Sequence, residues 1–119
     1  MTDLHPHPRP ALRVALVFGL AAALLAAPAR AAEDPAAYVR FVEDFAANCV
    51  ARNGVQILVQ STHPKRPIRV WLDRFHMGVG TGDRSRSDLL PGGEPEPLGC
   101  SRSATGAQEW RLVKAQFAD

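Results

Sequence analysis

The chain has 119 residues, with 14 Lys and Arg against 12 Asp and Glu, and a formal net charge of +2 at pH 7. The positive excess is confined to the first 31 residues, because the remaining 88 carry eleven basic and eleven acidic side chains. This balance argues against nucleic-acid binding, which needs a basic surface. The sequence has no internal repeat and no linker, so we predict a single folded domain after residue 31.

The first 31 residues have the pattern of a secretory signal peptide. Arg9 and Arg13 precede an apolar run at 14–27, and a proline then leads to a small-x-small triplet at 29–31. As a helix, this run of 14 residues rises only about 21 Å, which is too short for a ~30 Å hydrocarbon core. An uncleaved N-terminal anchor is the alternative. We expect the mature protein to begin at Ala32, to be periplasmic or secreted, and to keep no membrane span.

The mature domain, 32–119, is small enough to need a covalent cross-link. A domain of this size buries only about 60% of the surface of its unfolded chain, which leaves its stability marginal. Cys49 and Cys100 both lie in this domain, and two cysteines in an oxidising compartment usually pair. Two buried free thiols are the alternative. We predict a disulfide between Cys49 and Cys100.

The first predicted element of this domain is an amphipathic α-helix over 35–52. Asp34 is a favourable N-cap, and Pro35 suits the first helical position because that N–H has no partner there. Asn53-Gly54 supplies a C-terminal stop. Apolar residues in this segment are spaced by 3, 1, 3 and 4, which is typical of one helix face: Tyr38, Phe41, Val42, Phe45 and Cys49.

Patterns of period 2 after this helix predict β-strands. The segment 55–61 is β-rich and largely apolar, and 68–73 places Ile68, Val70 and Leu72 on one face. A turn with two prolines joins the two segments. We therefore predict that they form a β-hairpin with a six-residue loop.

The rest of the chain predicts further strands joined by short turns. The polar segment 84–89 is suited only to an edge strand, a Pro-rich stretch stays extended into Cys100, and 109–117 alternates as a last strand. No helical pattern separates these strands, so a parallel sheet is not expected. The predicted fold class is α+β: an N-terminal amphipathic helix packed on a small antiparallel sheet of four to five strands, with one disulfide.

A basic cluster between residues 65 and 86 is the leading candidate for a binding surface. Six Lys and Arg residues stand against two Asp residues there, and two aromatic residues are interleaved. Such a surface can bind an anionic or carbohydrate partner through charge and stacking. An Arg-rich solvated surface beside core aromatics is the alternative. The candidate binding face comprises Arg66, Arg69, Trp71, Arg74, Phe75 and Arg84.

No motif in the chain indicates catalysis or a cofactor. The Gly78-x-Gly80-x-Gly82 sequence lacks the strand-loop-helix context of a nucleotide-binding loop, so we interpret it as a turn. The serines lack a nucleophile elbow and both cysteines are predicted to be oxidised, so we predict that the protein is not an enzyme. His76 and Met77 are a possible soft-metal pair, but no further Cys or His has a ligand spacing. We therefore predict no metal site and interpret them as surface residues.

Four features follow one another between Val55 and Cys100. They are a strand ending at Ser61, the sequence Val70-Trp71-Leu72-Asp73, the Met77-Gly78 turn and the sequence Leu90-Pro91-Gly92. This arrangement resembles the PEGA-type and related immunoglobulin-like hairpin modules of bacterial envelope proteins. It covers about half of the mature chain. The resemblance implies a non-catalytic binding or structural module.

The predicted function is that of a small, exported, non-enzymatic envelope module that binds another protein or a cell-wall polysaccharide. The alternative is a periplasmic metal or small-ligand binding protein that uses His76 and Met77. The two differ in their response to salt, because binding through arginines weakens as ionic strength rises, while soft-metal ligation hardly responds.

Overall fold

A computed structural model describes residues 33–119, which form two antiparallel β-sheets. Sheet A has the strand order β1-β2-β5, with β1 at Val39–Asp44, β2 at Gln56–Ser61 and β5 at Glu96–Cys100. Sheet B has the order β4-β3-β7-β6, with β3 at Ile68–His76, β4 at Val79–Leu89, β6 at Arg102–Ser103 and β7 at Gly106–Phe117. A 3-10 turn, Pro35–Tyr38, precedes β1, and a short helix, α1, spans Ala47–Val50. The predicted signal peptide, 1–31, lies outside the described residues, among which no helix is long and apolar enough to cross a membrane.

The core lies between the inner faces of the two sheets. Val59 of β2 and Ile68, Val70 and Leu72 of β3 have no exposed surface, and Leu89 at the end of β4 is also buried. The alternation predicted for 68–73 is confirmed, because every second side chain of this segment is buried. Partly buried side chains pack around this cluster: Tyr38, Val39, Leu98, Trp110, Leu112, Ala115 and Phe117.

The predicted N-terminal helix over 35–52 is wrong, and so is the α+β fold class. The middle of this segment is β1, which pairs with β2 along its whole length, and only Ala47–Val50 is α-helical. The residues that are spaced like a helix face do not form a buried stripe, since Phe45 is 84% exposed. Pairing of a β-rich segment with a neighbouring strand outweighs a weak local preference for helix. The described fold is mostly β, with sheets of three and four strands in place of one sheet of four to five.

The hairpin predicted for 55–61 and 68–73 is also wrong, because β2 and β3 belong to different sheets. The prolines of the intervening segment do mark a turn, but the chain uses it to cross from sheet A to sheet B. Strand β3 forms its hairpin with β4 instead, through a two-residue turn at Met77 and Gly78. Both turn residues have positive φ, 49° and 79°, and this backbone twist suits a tight antiparallel connection.

Buried His63 holds the crossing between the sheets in place. Its Nδ1 accepts hydrogen bonds from the backbone N–H groups of Lys65 and Arg66, at 3.1 and 2.8 Å. An Nδ1 that accepts leaves the ring proton on Nε2, which donates to a carboxylate oxygen of Glu33 at 3.1 Å. The hydrogen bond from His63 lowers the pKa of the Glu33 carboxyl group below its ordinary value. One buried side chain therefore orders both the crossing segment and the first described residue.

Cys49 and Cys100 form the predicted disulfide, with 5.1 Å between their Cα atoms. Cys49 lies in α1 and Cys100 is the last residue of β5, so the bond ties the short helix to an edge strand of sheet A. Both residues are buried. The bond closes a loop across 51 residues, and this constraint removes conformations from the unfolded chain.

Candidate binding face on sheet B

The outer face of sheet B consists of the side chains of β3, β4 and β7 that point away from the core. Because Ile68, Val70 and Leu72 point inward, the residues between them on β3 point outward. Strand pairing places these side chains in four rows across the sheet: Asp88-Arg69-Gln116, Arg86-Trp71-Lys114, Arg84-Asp73-Arg111 and Gly80-Phe75-Glu109. The second row is called the tryptophan row below. The face carries five basic and three acidic side chains and is therefore positive overall.

A β-bulge in β7 brings two of these cations onto the same face. Trp71 faces Lys114, while the next residue of β3 faces Leu112, which leaves Val113 as an extra residue in β7. In a regular strand Arg111 and Lys114 are three positions apart and point to opposite faces. The extra residue reverses the alternation, so both side chains point outward.

Ion pairs engage the charged side chains of the rows on either side of the tryptophan row, two of them across strands and one, Arg111 with Glu109, along β7. Arg69 donates two hydrogen bonds to Asp88, at 2.7 and 3.1 Å. Arg84 donates two to Asp73, at 2.7 and 2.9 Å. The hydrogen bonds from these guanidinium groups lower the pKa of both carboxyl groups below its ordinary value. Exposed pairs of this kind stabilise a fold very little, so their main effect here is to cancel charge.

Two cations lie over the aromatic rings of the outer face. Nζ of Lys114 is 5.0 Å from the centroid of the Trp71 ring, and the guanidinium carbon of Arg111 is 3.9 Å from the centroid of the Phe75 ring. Arg111 also donates a hydrogen bond to Glu109 at 2.6 Å. Both rings are half-buried, and each has a cation over one of its faces.

The tryptophan row holds two cations that form no close ion pair with a carboxylate of residues 33–119, although Arg86 is near enough to Asp88 to help lower the pKa of that carboxyl group. No Asp or Glu oxygen of this part of the chain lies within 4.0 Å of the charged nitrogens of Arg86 or Lys114. Trp71 stands between these two residues in the ladder. A flat aromatic surface flanked by two free cations is an arrangement that can hold a ring that carries negative charge.

The structure brings four of the six predicted residues together on the outer face and leaves two elsewhere. Arg66 lies in the segment that crosses between the sheets, where it pairs with Asp119 at 2.7 Å. Arg74 points to the opposite face of β3 and pairs with Asp83 at 2.6 Å. Proximity in sequence grouped these two with residues whose side chains point another way. The four on the face are Arg69, Trp71, Phe75 and Arg84.

Sequence reasoning missed three cations of this face. Arg86 belongs to the basic cluster but was not placed among the site residues, although its spacing of two from Arg84 predicts the same side of a strand. Arg111 and Lys114 carry no such signal. They lie on one face only because of the bulge at Val113, which cannot be predicted from the sequence.

His76 and Met77 approach each other at the turn between β6 and β7. A Cβ atom on Gly106 would lie 2.9 Å from Sδ of Met77 and 3.5 Å from Nε2 of His76, so both side chains converge on this glycine. Nε2 of His76 also lies 3.0 Å from the hydroxyl of Thr105. Within residues 33–119, no three His, Cys, Asp or Glu side chains are placed to share a metal ion.

Comparison with known proteins identified no relative of this chain. No protein-family model, curated protein or solved structure matches the chain. The resemblance to PEGA-type modules therefore stays a prediction, and the interpretation of the outer face depends on its own geometry.

Proposed function

We propose that the chain is an exported, non-enzymatic module of the cell envelope that binds a macromolecular partner on the outer face of sheet B. Three features support export: the leader-like sequence of residues 1–31, the near-neutral remainder, and a disulfide that is compatible with an oxidising compartment.

The observation that carries this proposal is the contrast between the tryptophan row and its neighbours. Every charged side chain of the flanking rows is in an ion pair, whereas Arg86 and Lys114 on either side of Trp71 form no close ion pair with a carboxylate of residues 33–119. Cations that have no ion-pair partner and lie next to a half-buried aromatic ring add little to the stability of the sheet. They are well placed to contact an anionic surface.

The test is co-sedimentation of the protein with cell-envelope particles. The full chain is expressed with its leader and the exported protein is recovered. At low salt we expect the wild type to sediment with the particles and the double variant Arg86→Glu with Lys114→Glu to stay in solution. Raising the salt should release the wild type as well, because exposed charges are screened.

A charge-matched control keeps this test specific. Arg40 on β1 and Arg52 after α1 are exposed and lie away from sheet B, so Arg40→Glu with Arg52→Glu changes the net charge by the same amount. This control should sediment like the wild type. Equal loss of sedimentation in both double variants would mean that only net charge matters, and equal retention in both would place the partner elsewhere. Either result contradicts the proposal.

A further inference from the structure

We infer that the partner of the outer face is an acidic polysaccharide, whose carboxylates contact Arg86 and Lys114 and whose sugar ring takes the place that Nζ of Lys114 occupies over Trp71. This inference rests on the proposed function and adds the chemistry of the partner. The pyranose ring has an apolar C–H side that matches a flat aromatic surface, while its carboxylate matches a guanidinium or ammonium group.

The positions of the two cations allow each of them to contact its own acidic group of a polymer. Neighbouring strands lie about 4.8 Å apart, so the backbones of Arg86 and Lys114, on the two strands that flank β3, are about 10 Å apart. Extended side chains at this separation can hold two separate anionic groups. A chain with repeated acidic rings can place one charge on each cation and a ring over Trp71 between them.

The composition of the face disfavours a protein partner. Stable protein interfaces bury about 800 Å² on each side and have an apolar centre from which charged residues are depleted. Eight of the twelve outer-face residues are charged, and the rings of Trp71 and Phe75 lie under cations. The strongly exposed apolar side chains of the described residues, such as Phe45, Met77 and Leu90, are not among the outer-face residues. A hydrophilic, repeating chain makes better use of isolated cations than a folded surface does.

The experiment measures binding of the exported protein to four defined polymers: polygalacturonate as the acidic polysaccharide, dextran as the neutral one, polyphosphate, and oligothymidylate. We expect polygalacturonate to bind most tightly and dextran not at all, with affinity that falls as salt rises. Arg86→Gln and Lys114→Gln should each weaken polygalacturonate binding about two- to fivefold at low salt. The matched control Arg40→Gln should bind like the wild type.

Tryptophan fluorescence gives a second readout that reports on the ring itself. A sugar ring placed on Trp71 should change the emission of the wild type, and this change should be lost in Trp71→Phe, where Trp110 still emits. A fluorescence change that persists in Trp71→Phe would place the polymer away from the tryptophan row.

The outcomes separate this inference from the proposed function. Equal binding to dextran, tighter binding to polyphosphate or oligothymidylate, or wild-type affinity in both glutamine variants would overturn the acidic polysaccharide. If envelope sedimentation still depends on Arg86 and Lys114 in that case, only the chemistry of the partner is wrong. If sedimentation is also insensitive to them, the proposed function falls as well.

Discussion

The two faces of strand β3 differ in almost every physical property, although their residues alternate along one segment. On the inner face Ile68, Val70 and Leu72 have no exposed surface and lie in the core. On the outer face Arg69 and Asp73 are engaged in ion pairs above the sheet. Burial of an aliphatic side chain stabilises a fold by about 1.5–3 kcal/mol, whereas an exposed ion pair contributes about 0–1 kcal/mol.

This difference separates stability from the proposed binding function within a single strand. The inner face fixes the strand against the core, and the charges of the outer face contribute little to stability. Changes on the inner face should lower the free energy of unfolding and leave the contacts of the outer face unaltered. Changes in the tryptophan row should do the reverse.

The largest effect is expected from Leu72→Ala on the inner face. Leu72 is fully buried, so the substitution removes apolar contacts and leaves a cavity, which should lower the free energy of unfolding by about 2–5 kcal/mol. Urea denaturation measures this loss. Lys114→Ala on the outer face is the matched comparison and should cost less than about 1 kcal/mol. A loss of similar size in both variants would contradict the division between the two faces.

A slightly smaller effect is expected from removal of the disulfide. The double variant Cys49→Ser with Cys100→Ser frees the unfolded chain from a loop closed across 51 residues, and we expect a loss of about 2–4 kcal/mol in the free energy of unfolding. Dithiothreitol should destabilise the wild type by a similar amount and leave the variant unchanged. A wild type that is insensitive to reductant would mean that the bond does not contribute to stability.

The His63 network between the sheets should come next. His63→Leu removes the acceptor for the backbone N–H groups of Lys65 and Arg66, and we expect a loss of about 1–3 kcal/mol in the free energy of unfolding. His63→Asn keeps an oxygen acceptor close to the position of Nδ1 and should lose less. Equal losses in urea denaturation would show that packing of the ring, and not its hydrogen bonds, is what holds the crossing segment.

The sequence predicts the inner face of β3 and the disulfide well, because both depend on local or compartment-level rules. Alternation of Ile68, Val70 and Leu72 suffices for the first, and two cysteines after a predicted signal peptide suffice for the second. The helix over 35–52 fails for a complementary reason. Its apolar spacing fits a helix, but β1 pairs with the next strand, β2, and this pairing is not visible in the periodicity of the segment itself.

The outer face is predictable only in part, for a geometric reason. Residues two apart on one strand, such as Arg69 and Trp71, can be assigned to the same side from sequence. Their neighbours across the sheet depend on strand order and register, and the bulge at Val113 changes which residues of β7 face outward. The sequence therefore indicates that a basic, aromatic surface exists, and the fold decides which cations belong to it.

The smallest effect concerns the ion pairs of the outer face and depends on pH. The hydrogen bonds from Arg69 hold the pKa of the Asp88 carboxyl group in the folded protein below its value of about 3.9 in an unfolded chain. The pair therefore contributes its stability above that pH and loses it as the pH falls through the lower folded value.

Asp88→Asn should destabilise slightly at pH 7 and show a weaker loss of stability than the wild type between pH 4 and pH 2. Urea midpoints across this range measure the difference, and Asp44→Asn, which removes an exposed β1 carboxylate without an ion pair in the described residues, is the control. If Asp88→Asn follows the wild type across the whole range, the ion pair is cancelling charge on this face without stabilising the strand pair that carries it.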